Sequence, residues 1–81
     1  MDIVKGSLVR SSAGRDKGRV FAVVAVEGQM LFLADGSLRK LARPKCKKNR
    51  HVAPIATVLP PQQMFTDSAL REAIKQFETL S

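Results

Sequence analysis

The stretch Ala13-Gly14-Arg15-Asp16-Lys17-Gly18-Arg19-Val20-Phe21-Ala22-Val23-Val24-Ala25-Val26 joins two contrasting halves. In the first, Gly14 and Gly18 bracket a short basic run, and both are free to take positive φ, which marks a tight turn. In the second, from Arg19 onward, β-branched residues dominate and both faces are apolar. Such a run suits a central strand that is covered on both sides. Upstream, Leu8 and Val9 place a first strand at Ser7–Ser11. Downstream, Glu27-Gly28-Gln29 reads as a hairpin turn into a strand at Met30–Ala34. Asp35-Gly36 is a second hairpin signal, which predicts a short strand over Leu38-Arg39-Lys40-Leu41. A last strand is expected within His51–Ile55, with continuation through Thr57-Val58-Leu59. Five short strands joined by tight turns predict a mainly β domain, a small five-stranded barrel. Closure would also remove the sheet edges that invite aggregation.

The chain has 81 residues, enough for one domain. It divides into a β part over 1–59, a Pro-rich joint over 60–65 and a C-terminal helix over 66–81. Leu70, Ala73, Ile74 and Phe77 recur at helical spacing and share one face. Thr66 suits the N-cap, with Asp67 at the positive end of the dipole. Phe65 and Leu70 hold the positions of a hydrophobic staple, and Pro60 and Pro61 prevent an earlier start. The helix is expected to cap the barrel over Phe21 and Val23, with a docking helix for a partner as the alternative.

Fourteen Lys and Arg against seven Asp and Glu give a formal charge of +7. The excess is localised: residues 1–66 hold twelve basic and four acidic side chains, whereas 67–81 hold two and three. Seven basic residues crowd one segment of twelve: Arg39, Lys40, Arg43, Lys45, Lys47, Lys48 and Arg50. No acid occurs between Gly36 and Thr66. Like charges gathered this way repel one another unless a polyanion neutralises them. A solvated loop without a partner is the plainer reading, but the missing acids favour phosphate binding. Pro44 and the scarcity of apolar residues mark 43–50 as an exposed loop. The first turn adds Arg10, Arg15, Lys17 and Arg19, and the two groups are expected to form one continuous face. Exchanging Lys45, Lys47 and Lys48 together for Glu is then expected to abolish RNA binding and leave the fold intact.

Other function classes find less support. Four Phe are the only aromatics, and Phe21, Phe32 and Phe77 fall at core positions. Few rings remain to stack bases of a single strand, which favours readout of a folded RNA through its backbone. Cys46 and His51 do not supply the four ligands of a structural zinc site, so neither a metal nor another cofactor is expected. No paired carboxylates, nucleophile–base set or phosphate-loop motif suggests an enzyme. The single cysteine suits a reducing cytoplasm. The longest apolar run, Val20–Val26, is too short to span a bilayer, so no membrane association is expected; separately, a monomer is expected.

Gly14-Arg15-Asp16-Lys17-Gly18-Arg19-Val20, with Leu8-Val9 before it and Val23-Val24 after it, resembles the KOW motif of RNA-binding proteins. Leu33-Ala34-Asp35-Gly36, then Arg39-Lys40 and His51, is similar to the archaeal and eukaryotic large-subunit ribosomal protein of the fourteen-e type and its small bacterial relatives. The resemblance covers roughly residues 4 to 55. It implies an SH3-like barrel that binds ribosomal RNA, with Arg15, Lys17, Arg19, Arg39 and Lys40 as contacts. The alternative is an interaction module that docks on proteins of the transcription or translation machinery.

Overall fold

A computed structural model describes residues 2–80. Five strands form one antiparallel sheet: β1 (Ser7–Ser11), β2 (Val20–Glu27), β3 (Met30–Ala34), β4 (Lys45–Lys48) and β5 (Val52–Val58). Their order in the sheet is β4-β3-β2-β1-β5. A single α-helix, α1 (Asp67–Leu80), follows β5. The fold is thus mainly β with one C-terminal helix, and the sheet is barrel-like but open: among the described residues no ladder joins β4 to β5. No helix among the described residues is long and apolar enough to cross a membrane.

Two irregularities bend the sheet. Val23 pairs with Leu33 and Ala25 with Phe32, so Val24 is an extra residue on β2. Between β1 and β5 the register shifts between Ser7 and Val9. Bulges of this kind increase twist and curl a sheet on itself. Pro54 stands on β5 opposite Val9, and a strand with only one paired edge tolerates proline.

As expected for a central strand, β2 is apolar on both faces because each face has its own core. Phe21 and Val23 join Val9, Leu31, Leu33 and Val52 inside the curl. Val20 and Ala22 join Leu8, Ala34 and Leu59 beneath Leu70, Ala73 and Ile74 of α1. The helix therefore covers Val20 and Ala22, not Phe21 and Val23. Alternation along β2 does not distinguish its two faces, but side-chain size does. Ala22 and Ala34 are direct cross-strand partners, and two small residues let a helix approach closely.

The N-terminus of α1 is capped as expected: the Ala69 N–H donates to Thr66 Oγ1 at 3.0 Å. The staple is absent. Pro61–Met64 form a 3-10 turn that brings Met64 against the core, while Phe65 is 85 % exposed.

The segment after β3 differs most from expectation. Leu38–Leu41 is not a strand, and Asp35-Gly36 does not begin a two-residue hairpin. The Asp35 carboxylate accepts the backbone N–H groups of Ser37 (2.9 Å) and Arg39 (2.8 Å). The Arg39 carbonyl in turn accepts those of Asp35 (2.9 Å) and Gly36 (3.1 Å). Side-chain capture of backbone donors competes with strand pairing, and here it closes residues 35–39 into a compact loop. The fourth strand forms later, at Lys45–Lys48, inside the segment expected to be an exposed loop.

The start of α1 holds this loop from the other side. Asp67 Oδ1 accepts the Leu41 N–H at 2.7 Å, and Arg71 Nη1 donates to the Gly36 carbonyl at 3.3 Å. Gly36 has φ +77°, and a Cβ there would overlap the Asp67 carbonyl and lie 2.9 Å from the Arg71 nitrogen. Gly36→Ala is expected to cost about 2–4 kcal/mol, from backbone strain plus overpacking. That corresponds to a fall in Tm of about 10–25 °C. Gly28→Ala, at φ +59° but with nothing within 4 Å, is the comparison: thermal melts are expected to show a fall at most half as large.

Candidate nucleic-acid interface

The first turn is built on Gly14 and Gly18, at φ +83° and +92°. The Gly18 N–H donates to the Ser11 carbonyl at 2.8 Å, and the Arg19 N–H to the Asp16 carbonyl at 2.9 Å. These bonds turn the Asp16 side chain inward, where it is buried. Its carboxylate accepts Ser11 Oγ at 2.7 Å, Lys45 Nζ at 2.6 Å and Lys47 Nζ at 2.8 Å. Lys47 Nζ also donates to the Ala13 carbonyl at 2.8 Å.

Lys45 and Lys47 stand opposite Leu33 and Leu31 on the inner face of the sheet. Their ammonium groups reach across to the first turn. An ionic latch thus joins β4 to the first turn, between β1 and β2, a contact that backbone pairing does not make. Burial alone would push the Asp16 carboxyl up. Hydrogen bonds from Lys45, Lys47 and Ser11, together with the Lys45 charge, overcome that effect and hold it well below the usual carboxylate range. A carboxyl depressed by folding stabilises the native state fully above its unfolded value, near pH 4, and that contribution is lost as pH falls further. Urea midpoints are therefore expected to vary little between pH 7 and 5 on account of this group and to drop below about pH 4. Asp16→Asn is expected to be less stable at neutral pH and to show a shallower acid limb.

The expected RNA-binding residues divide by environment. Lys47 is 8 % exposed, so it is a structural counterion and leaves the candidate set. The triple exchange of Lys45, Lys47 and Lys48 would break the latch and cannot leave the fold intact. Lys45 is half-buried on the latch. Arg19 Nη2 pairs with Asp35 Oδ2 at 3.3 Å but keeps much of its side chain in solvent. Arg10 Nη1 donates to the Gly18 carbonyl at 2.8 Å. Arg15, Lys17, Arg39, Lys40, Arg43, Lys48 and Arg50 are exposed. None of these seven is in an ion pair among the described residues.

The two basic segments meet in one cleft of about 460 Å³. Arg15, Asp16 and Arg19 line it from the first turn, Phe21 from β2, and Leu38, Arg39 and Lys45 from the later segment. On its other side Arg19 borders a second cleft, of about 370 Å³, lined also by Asp35 and by Arg71, Lys75 and Glu78 of α1. Convergence of the segments is therefore present for four of the expected residues, though not as a rim of all eleven. Lys48 lies on the outer face of β4 opposite Met30, and Arg50 in the 3-10 turn Asn49–His51. Neither lines the cleft.

The sequence reading missed Asp16 and Asp35 as organising groups. Their signal is that each is a lone acid beside a basic cluster, and a lone acid there serves best as an internal counterion. No protein-family model matches the sequence, and no curated protein matches it.

Proposed function

We propose that the protein is a non-enzymatic binder of structured RNA of the KOW type, ribosomal or ribosome-associated, working in the cytoplasm. One observation carries this reading. Asp16, which lines the cleft, and Asp35, which lines the adjoining one, are both buried and ion-paired, while Arg15, Lys17, Arg39, Lys40 and Arg43 point to solvent without carboxylate partners. A surface built this way offers phosphates several cations, and the one acid in the cleft lining, Asp16, is already neutralised by Lys45 and Lys47. Arg15, Arg19 and Arg39 can each bind a phosphate through two parallel hydrogen bonds. Phosphate contacts of this kind position a protein on RNA with little sequence information. Crosslinking in cells followed by sequencing of the attached RNA tests the proposal. Enrichment of ribosomal RNA is expected, and recovery of no RNA above background would end it.

A second reading, a docking module for a protein, draws on a separate surface. Phe65 and Val58 are exposed beside Pro60, Pro61 and Met64 in an apolar groove. The two readings separate by variant: Phe65→Ser weakens a protein contact but leaves RNA affinity unchanged.

A further inference from the structure

An apolar side chain stands among the cations of the main cleft. Leu38 is 68 % exposed, yet it lines the same recess as Arg15, Arg19, Arg39 and Lys45. Single exposed leucines are common and need no explanation alone. This one is held in place. The Asp35 carboxylate fixes the backbone on both sides of it, at the Ser37 and Arg39 N–H groups. The Asp67 carboxylate fixes Leu41 just beyond. Leu38 is thus kept in solvent by a loop closed at both ends.

Binding a paired RNA backbone rewards cations on a convex surface. It gains nothing from a walled recess with an apolar wall. A nucleotide that is not paired offers both chemistries at once, a phosphate and a flat apolar base. We infer that this cleft holds one unpaired ribonucleotide of a folded RNA, with its base between Leu38 and an arginine plane and its phosphate on the remaining cations. Guanidinium groups stack on splayed-out bases as aromatic rings do, so Arg15 or Arg39 serves here, where the one ring in the lining, Phe21, is buried in the core. The volume, about 460 Å³, lies in the range of small-ligand sites, roughly 300–1,000 Å³, which suits one nucleotide and not a single-stranded tract. The buried latch matters too. Lys45 and Lys47 neutralise Asp16, so its carboxylate does not repel the incoming phosphate.

This inference rests on the RNA-binding reading and is tested so that the two fail separately. The full chain is titrated with two RNA hairpins of equal length, one fully paired and one carrying a single-nucleotide bulge. The bulged hairpin is expected to bind about tenfold more tightly, near the lower end of what contact with one base contributes. Leu38→Ser, at an exposed position, is expected to remove that preference, so that the bulged hairpin binds no more tightly than the paired one. Equal affinity of the unmodified protein for both hairpins, or a preference that survives Leu38→Ser, overturns the inference alone. Failure to bind either hairpin overturns both readings. Adenosine and guanosine monophosphates distinguish a free nucleotide from a nucleotide within RNA. Weak, millimolar binding that shifts the Leu38 and Arg39 amide resonances is expected. Micromolar binding of a free mononucleotide would assign the cleft to a small ligand and overturn the inference.

Discussion

Lys47→Glu is expected to lower the Tm by about 15 °C or more. The Lys47 ammonium is buried and holds Asp16 Oδ1 at 2.8 Å and the Ala13 carbonyl at 2.8 Å. Glutamate would place a second carboxylate against the first and leave that carbonyl without its donor. Removing one partner of a buried ion pair costs about 3–5 kcal/mol, and the added repulsion raises the loss. A domain of this size has a total margin of about 4–12 kcal/mol. Thermal melts followed by circular dichroism are the check on that fall. Lys47→Met removes the charge and keeps the stem without adding repulsion, and is expected to cost about 3–5 kcal/mol, less than Lys47→Glu. Lys48→Glu is the internal control. Lys48 is the next residue on the strand but faces solvent, so its stability should change by less than about 0.5 kcal/mol. If Lys47→Glu melted with Lys48→Glu and the unmodified protein, the latch would have no structural role.

The second large effect concerns binding. Arg15→Glu, Arg39→Glu and Lys40→Glu together reverse three exposed charges, two of which line the main cleft. None of the three side chains is in an ion pair among the described residues, so the variant should melt close to the unmodified protein. Each phosphate contact contributes about 0.9 to the slope of log affinity against log salt. Losing three contacts and adding three repulsions is expected to weaken RNA binding by about 100-fold or more at about 100 mM salt. Native stability with full RNA affinity would show that the cleft is not where RNA binds.

The contrast between these variants explains what could be read from the residues. β1, β2, β3 and α1 follow from local signals: Leu8-Val9, the Val-rich run from Val20, Met30–Ala34, and Leu70, Ala73, Ile74 and Phe77 with Thr66 as cap. β4 does not. Lys45-Cys46-Lys47-Lys48 has no apolar alternation, and charge density there reads as exposure. Its strand exists because Lys47 finds Asp16 31 residues away, and Lys45 finds it 29 residues away. The loop at 35–41 failed for a related reason. Asp35-Gly36 has the composition of a hairpin turn, but the Asp35 carboxylate captures two backbone donors. The end of the loop is held by Asp67, 26 residues on. In both places a carboxylate decides the backbone, Asp16 and Asp67 through partners far along the chain and Asp35 through nearby backbone donors. For the site, the residue types were legible, and so was the meeting of the two basic segments. Which lysines face inward was not, since that depends on the parity of β4.

The most direct measurement is the affinity of the unmodified protein for a folded ribosomal RNA fragment across a salt series from about 50 to 400 mM. Contact with about five to seven phosphates predicts a straight line of log affinity against log salt with a slope of roughly −4 to −6. The Arg15→Glu, Arg39→Glu, Lys40→Glu variant is expected to flatten that line by about 3. A slope near zero, or one that the variant leaves unchanged, would contradict phosphate binding by this face.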